Sequence, residues 1–184
     1  MNKEQNALID YLQQIRLLRM DMMSRMKDKP LYYGIEDFIL RHGRMFSLSY
    51  LPRHLPVKMR GAVRQCFANA GRVARDHSKD FIYTEGFSFA SSIPFHHAWV
   101  VSPEGIAYEL TWEREDLQDN EMKYQAYYGV AFKPEFCKRI YRESKCWGLL
   151  DDWQNHWPIL RGLYPFDEML HSINQESREM ETRK

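Results

Sequence analysis

Three side chains in this sequence bring together a thiol, an imidazole and a carboxylate in an order that suits acyl transfer. Gln65-Cys66-Phe67 places a thiol at the predicted start of a helix, His96-His97 lies on a predicted strand, and Glu109 lies on the next strand. The positive end of a helix dipole favours a thiolate at such a position. A neighbouring imidazole can hold the proton and deliver it to a leaving group, and a carboxylate on the other ring nitrogen fixes the imidazole. The spacing therefore predicts a Cys-His-acid site.

A predicted β-hairpin determines how the histidine and the acid meet. Residues 102–105 read Ser-Pro-Glu-Gly, with proline at the second and glycine at the fourth position, as a type I turn prefers. Counting across this four-residue turn puts His97 opposite residue 110, one position from Glu109. Alternation along the strand points His96 and His97 to opposite faces, so only one of them can face the thiol.

Each of these groups also has a structural interpretation, which the sequence leaves open. A cysteine ahead of a helix is often a small buried hydrophobe, adjacent histidines on a strand are often surface residues, and Glu109 fits the solvent face of an alternating strand. An oxyanion hole would combine the Cys66 N–H with a side-chain amide from Gln65 or Asn69. Asn69 equally fits a hydrogen bond that packs the helix against a neighbour.

A zinc site is a further alternative, because thiolate and imidazole are suitable zinc ligands. Its members would be Cys66, His96, His97 and either Cys137 or Cys146. The sequence has no Cys-x-x-Cys or His-x-x-x-His spacing, which disfavours this interpretation. We therefore expect no metal and no cofactor.

The elements that must position these groups read as helices followed by a run of strands. Apolar periodicity and the positions of proline and glycine predict helices over 4–27, 35–47, 64–76 and 134–145, and strands over 81–87, 95–101, 106–112 and 127–132. Residues 50–60 and 148–165 read as irregular connections. Because the strands follow one another without intervening helices, this order predicts an α+β fold with a mostly antiparallel sheet.

The segments around these groups resemble the transglutaminase-like branch of the papain-like cysteine hydrolases. That branch reads Cys on a helix, then His-Ala-Trp, then Asp-x-Thr or Asp-Pro-Thr-Trp; here the segments are Cys66, His97-Ala98-Trp99 and Glu109-Leu110-Thr111-Trp112. Over about residues 35–150 the chain is also similar to uncharacterised bacterial and phage proteins. The further shared segments are Arg41-His42-Gly43-Arg44, Gln65 to Asn69, Tyr83 to Gly86 and Tyr127 to Val130.

The resemblance implies a papain-like, transglutaminase-like core in which the Cys-bearing helix packs on an antiparallel sheet, with extra N-terminal helices. It implies that Cys66 is the nucleophile, that His97 is the histidine that faces it, and that Glu109 is the orienting acid. Glu109 stands where Asp is usual and Leu110 where Pro is usual. A Glu side chain is one methylene longer than Asp and still reaches an imidazole.

Four other residues complete the expected site. Oxyanion or substrate contacts are expected from Gln65, Asn69, Trp99 and His96. With His97 facing the thiol, alternation leaves His96 on the opposite face, as a substrate-pocket or surface residue.

Length and composition describe one domain in a reducing compartment. The 184 residues include 5 Trp, 11 Tyr and 10 Phe, more apolar surface than a disordered chain carries. We expect a helix over 1–30 packed on a core over 31–170, followed by a tail over 171–184. Three irregularly spaced cysteines, a polar N-terminus without a signal-like apolar run, and no apolar run long enough to span a membrane predict a cytoplasmic protein.

Two functions from different classes fit these features. The first is a cysteine-dependent acyl-transfer enzyme that hydrolyses or transamidates an amide or isopeptide of a protein or peptide. The second is a catalytically inactive papain-like fold, a phage or bacterial accessory protein that binds or inhibits a partner through the segment 38–75. That segment has eight Lys or Arg and no carboxylate. The formal net charge of the whole chain is +1, which gives no argument for a nucleic-acid partner.

Overall fold

The fold is a small β-barrel with helices packed against its outer surface. The computed structural model describes residues 1–49, 61–90, 93–111 and 125–174. Within these residues, the helices are α1 (Lys3–Met23), α2 (Ile35–His42), α3 (Cys66–Asp76), α4 (Pro134–Ser144) and α5 (Phe166–Met169). The strands are β1 (Arg44–Ser49), β2 (Ile82–Ala90), β3 (Ile93–Val101), β4 (Ile106–Tyr108) and β5 (Ala126–Ala131). None of the described helices combines the length and the apolar character needed to cross a membrane.

The five strands close into a barrel in the order β1-β4-β3-β2-β5. β2 and β3 pair along their whole length, and β2 also pairs with β5. All pairings are antiparallel except that of β1 with β4, which is parallel. The chain is thus α+β, as its element order predicts.

Alternation along each strand separates a core inside the barrel from a core outside it. Trp99 and Tyr127 pack inside the barrel. Ala98 and Val100, which flank Trp99 along β3, point the other way and pack outside against the helices. The Trp99 indole fits because Gly86 and Gly129, which face each other across β2 and β5, have no side chains. A Cβ on either glycine would lie 3.0 or 2.7 Å from Trp99 Cη2.

Helix α3 packs closely on the outer face because its buried side is lined by small residues. Ala70, Gly71 and Ala74 are buried among residues of β2 and β3. A Cβ on Gly71 would lie 2.1 Å from Trp147 Cε3, so this glycine allows the indole to rest directly on the helix. The start of α3 is thereby held at a fixed place beside β3.

Helices α1 and α2 form a layer joined by buried acids. The Asp37 carboxylate is fully buried and forms ion pairs with Arg16 and Arg41, at 2.8 and 2.7 Å. α1 buries Leu8 and Leu12, and Asn2 caps its N-terminus through a capping box. The N-terminal segment is therefore an integral layer of the fold.

The predicted helix over 35–47 is wrong beyond His42. The helix ends at Gly43, and residues 44–49 form strand β1, which pairs with β5. Glycine at position 43 lets the chain pass close to β5 as it leaves the helix, since a Cβ there would lie only 2.9 Å from the backbone oxygen of Gly129. The apolar residues around Met45 follow the alternation of a strand, a pattern that a short window does not distinguish from a helical one.

Other expectations differ from the structure at their ends: the helix predicted over 4–27, for example, ends at Met23. The predicted strand over 106–112 ends at Tyr108, because the Glu109 carboxylate accepts the Thr111 N–H at 2.6 Å and turns the chain out of the ladder. The expected tail from residue 171 begins with a 3₁₀ turn, Ser172–Asn174, that buries Ile173 in the barrel core. Residues 50–60, Trp112 and the chain beyond 174 lie outside the described residues.

Candidate active site

A buried histidine–carboxylate pair forms the centre of the candidate site. His97 Nε2 lies 2.7 Å from Glu109 Oε2, and the two residues are 0% and 6% exposed. β3 and β4 pair Val101 with Ala107, so the same register places Glu109 diagonally across from His97, on the same face. The four-residue turn predicted from the sequence puts His97 opposite residue 110, one position off this register. The turn has only three residues, 103–105, because the Ser102 N–H donates to the Ile106 carbonyl at 2.9 Å. The diagonal distance suits the length of a glutamate side chain.

Two further donors hold the Glu109 carboxylate as an anion. The Tyr127 hydroxyl donates to Oε2 at 2.9 Å, and the Thr111 N–H donates to Oε1 at 2.6 Å. Burial raises the pKa of Glu109, but the charge of His97 and these hydrogen bonds outweigh it, so the pKa is lowered. The acid is therefore ionised at neutral pH although it is buried.

The imidazole of His97 is charged at neutral pH for the complementary reason. Burial lowers the pKa of His97, but the Glu109 charge and a hydrogen bond with Cys66 raise it more, to about 9. Because Glu109 occupies Nε2, Nδ1 is the ring nitrogen available to the thiol. The structure thus brings together Cys66, His97 and Glu109, the three residues that the sequence predicts.

Cys66 is the first residue of α3 and is partly exposed. The first N–H groups of a helix have no intrahelical acceptor, and the first such bond here is donated by Asn69 to the Gln65 carbonyl, at 2.8 Å. The Cys66 N–H is therefore suited to stabilise an oxyanion next to its own sulfur. Arg64 has φ 66°, the left-handed conformation that non-glycine residues rarely adopt, and it turns the chain sharply into the helix.

The two amides that the sequence offers as oxyanion donors lie in different surroundings. Asn69 is buried, and its Nδ2 donates to the Ala62 carbonyl at 2.8 Å and to Thr111 Oγ1 at 3.1 Å. Both amide hydrogens are used, so Asn69 ties the start of α3 to the segment that follows Glu109. Gln65 is exposed and makes no side-chain cap of the helix, which leaves its amide available.

Trp99 and His96 lie on opposite sides of β3. Trp99 is fully buried inside the barrel and stacks on the His97 ring, with centroids 6.2 Å apart and planes at 24°. His96 lies on the outer face, between Phe67 and Phe87. Trp99 therefore supports the imidazole from inside the barrel, and His96 belongs to the packing between α3 and β2.

His96 has a carboxylate partner of its own, Glu85 on β2. His96 Nε2 lies 3.1 Å from Glu85 Oε1. Glu85 is fully buried and also accepts the N–H groups of Leu149 and Leu150, at 2.8 and 3.0 Å, and the Tyr83 hydroxyl at 3.0 Å. This carboxylate fastens the segment after α4 to the barrel.

The residues that sequence reasoning missed are the supports of the acid. Tyr127 and Thr111 bond Glu109 directly, and Asn69 bonds Thr111. Tyr127 comes from β5, which is remote in sequence, so no local spacing points to it. The Thr111 contact follows from the chain leaving the strand, which an uninterrupted predicted strand hides.

The other two cysteines are separate from this site. Burial raises the pKa of both Cys137 and Cys146, and both line a cavity between α3 and α4. In the described part of the chain, no group of three or more His, Cys, Asp or Glu side chains is arranged to hold a metal ion. The alternative set of zinc ligands is thus not assembled among the described residues.

Several cations of the basic segment 38–75 are engaged within the fold. Arg41 binds Asp37, Arg44 donates to the Ile173 carbonyl at 2.7 Å, and Arg75 pairs with Asp76. Arg64 and Arg72 are exposed. The remaining basic residues of the segment, Arg53, Lys58 and Arg60, lie outside the described residues.

Comparison with known proteins gives no relative: no family model and no curated protein matches the sequence, and no solved structure matches the fold. The resemblance to transglutaminase-like cysteine hydrolases therefore stays a prediction that rests on the quoted segments.

Proposed function

We propose that this chain is a cysteine-dependent acyl-transfer enzyme that acts on an amide or isopeptide through Cys66, His97 and Glu109. The observation that carries the proposal is the buried His97–Glu109 pair, 2.7 Å apart, together with a helix-initial cysteine close enough to raise the pKa of the same imidazole. A charged imidazole next to a cysteine is the arrangement that stabilises a thiolate nucleophile.

The reaction begins with attack of the Cys66 sulfur on the substrate carbonyl carbon. The electron pair of the carbonyl moves to its oxygen, where the Cys66 N–H and the Gln65 amide are the candidate donors. As the carbon–nitrogen bond breaks, His97 gives its proton to the leaving nitrogen. The products of this half-reaction are a free amine, a thioester on Cys66 and a neutral imidazole.

The second half-reaction restores the enzyme. Water or an amine attacks the thioester, His97 takes the proton of the attacking group, and the sulfur leaves as a thiolate. Water gives hydrolysis and an amine gives transamidation, through the same acyl-enzyme. Glu109 holds the imidazole in position through both halves and stabilises its positive charge.

An activated acyl donor tests this proposal without knowledge of the natural substrate. We expect p-nitrophenyl acetate to release p-nitrophenolate and to leave an acetyl group on Cys66, identified by peptide mass spectrometry. Added hydroxylamine should be converted to acetohydroxamic acid if the acyl-enzyme accepts amines. Cys66→Ala should abolish turnover and Cys137→Ala should not; unchanged turnover in Cys66→Ala would refute the proposal.

A further inference from the structure

A cavity of about 430 Å³ lies between α3 and α4. Gly71 and Ala74 of α3 form one wall, and Tyr141 of α4 and Trp147 form another, with Tyr83 of β2 among the lining residues. The volume falls in the range of small-molecule sites, about 300–1,000 Å³. None of Cys66, His97 and Glu109 lines it.

The walls of this cavity are held by specific packing. Tyr141 stacks on Trp147 with ring centroids 4.0 Å apart and planes at 23°. The indole of Trp147 rests on Gly71, where a Cβ would come within 2.1 Å of it. The single hydrogen of the Tyr83 hydroxyl is shared between Glu85 Oε2 and the Trp147 carbonyl oxygen, at 3.0 and 2.9 Å, which fixes the segment to β2. The cavity is thus formed by a helix, a strand and a stacked aromatic pair.

The charged groups that line the cavity all have the same sign. They are Arg75, Lys138 and Arg142, and none of the lining residues is acidic. Arg75 pairs with Asp76 at 2.7 Å. Lys138 and Arg142 make no ion pair with any residue in the described ranges. Glu135 and Glu143 line the adjacent surface with these two cations but form no ion pair with them in the described ranges. Two cations outside any described ion pair, beside an apolar cavity, complement a ligand with an apolar body and an anionic group.

We propose that this cavity binds a small organic anion, whose aromatic or alkyl body lies among Ala74, Tyr83 and Trp147 and whose carboxylate, sulfonate or phosphate meets Lys138 and Arg142. Burial of the body supplies the apolar contribution to affinity, and the two cations supply charge-assisted hydrogen bonds. The site is independent of the proposed acyl transfer, because it shares no residue with it.

Two dyes with the same skeleton test the charge complementarity. 8-Anilino-1-naphthalenesulfonate carries a sulfonate, and N-phenyl-1-naphthylamine is its uncharged counterpart. We expect the sulfonate to bind the native chain more tightly, and Lys138→Gln/Arg142→Gln to weaken its binding by about tenfold. Binding of the uncharged dye should change less than about twofold, as should binding of either dye to the control Lys79→Gln/Arg161→Gln, whose residues are exposed and outside the lining.

Protection of a cysteine from alkylation tests whether the dye binds in this cavity. Cys146 lines the cavity, so bound sulfonate dye should slow its alkylation by iodoacetamide without slowing that of Cys66. Ala74→Leu, which fills part of the cavity, should weaken both dyes, and Cys66→Ala should bind both unchanged even if it lacks acyl transfer. Equal sulfonate affinity in Lys138→Gln/Arg142→Gln, or an unprotected Cys146, would overturn the proposal and indicate adventitious dye binding only.

Discussion

Two histidine–carboxylate pairs occupy adjacent positions of β3 and face opposite sides of the strand. His97 pairs with Glu109 at 2.7 Å, and His96 pairs with Glu85 at 3.1 Å. Both carboxylates are buried, but they differ in what else they bind. Glu109 accepts the Tyr127 hydroxyl and the Thr111 N–H, and its histidine lies next to the Cys66 thiol. Glu85 accepts two backbone N–H groups and the Tyr83 hydroxyl, and these bonds hold the segment after α4 against the barrel.

The comparison shows that a histidine–carboxylate pair alone does not mark a catalytic site. The third partner distinguishes the two: a partly exposed cysteine at a helix start for His97, and aromatic rings for His96. In the proposed function, the first pair takes part in the chemistry and the second is structural support. Substitutions made in parallel in both pairs test this difference.

The largest contrast is expected between His97→Ala and His96→Ala. Removal of a general acid–base group costs about 10²–10⁴ in rate, because no imidazole then takes the proton of the thiol or activates the water that attacks the thioester. We expect this loss in kcat/KM for acetyl transfer from p-nitrophenyl acetate in His97→Ala, and a change within about fivefold in His96→Ala. Equal losses in two folded variants would remove the distinction between the pairs.

Substitution of the two carboxylates should also affect the rate at Glu109 and not at Glu85, with a smaller loss than in His97→Ala. Glu109→Gln removes the charge that raises the pKa of His97, so we expect about a 10²-fold lower rate and a basic limb of the pH–rate profile shifted to lower pH. Glu85→Gln should instead lower the free energy of unfolding, by about 1–3 kcal/mol, because an amide replaces an oxygen that accepts a backbone N–H. Urea denaturation and the pH–rate profile together separate the two results.

The stability of the His97–Glu109 pair should depend on pH. The pKa of His97 is about 9 in the folded chain and about 6.5 in an unfolded chain. Folding therefore favours the protonated imidazole, and this contribution is complete below about pH 6.5 and is lost as the pH rises through 9. We expect the difference in Tm between the native chain and His97→Gln to shrink from pH 6.5 to pH 10; a constant difference would contradict a charged His97.

The smallest effect is expected from Tyr127→Phe, which removes one hydrogen bond to Glu109 and keeps the ring in the barrel core. Loss of this donor should raise the pKa of Glu109 and move the acidic limb of the pH–rate profile upward, with a loss of a few-fold in rate at neutral pH. The neighbouring Tyr128→Phe is the matched control, since Tyr128 is not among the partners of Glu109. An unchanged acidic limb in Tyr127→Phe would show that Tyr127 does not position the acid.

The sequence predicts the candidate catalytic residues better than the contacts that hold them in place. Cys66 and His97 are found because a helix start and a hairpin are local patterns, with turn residues that mark their ends. The pairing of β1 with β4 and the bonds from Tyr127 and Asn69 depend on contacts between residues far apart in the chain. Residues 44–47, the first part of β1, are predicted as helix because helical and strand periodicities coincide over so short a run.

The most direct test of the central claim is the rate of Cys66 alkylation by iodoacetamide, followed by peptide mass spectrometry across pH in the native chain and in His97→Ala. Cys137 and Cys146, whose pKa values are raised by burial, are internal references in the same sample. We expect Cys66 to react at least about tenfold faster than Cys146 at pH 7, because a charged imidazole stabilises its thiolate, and to lose this advantage in His97→Ala. A Cys66 that reacts no faster than Cys146, or that is indifferent to the loss of His97, would contradict the catalytic assignment.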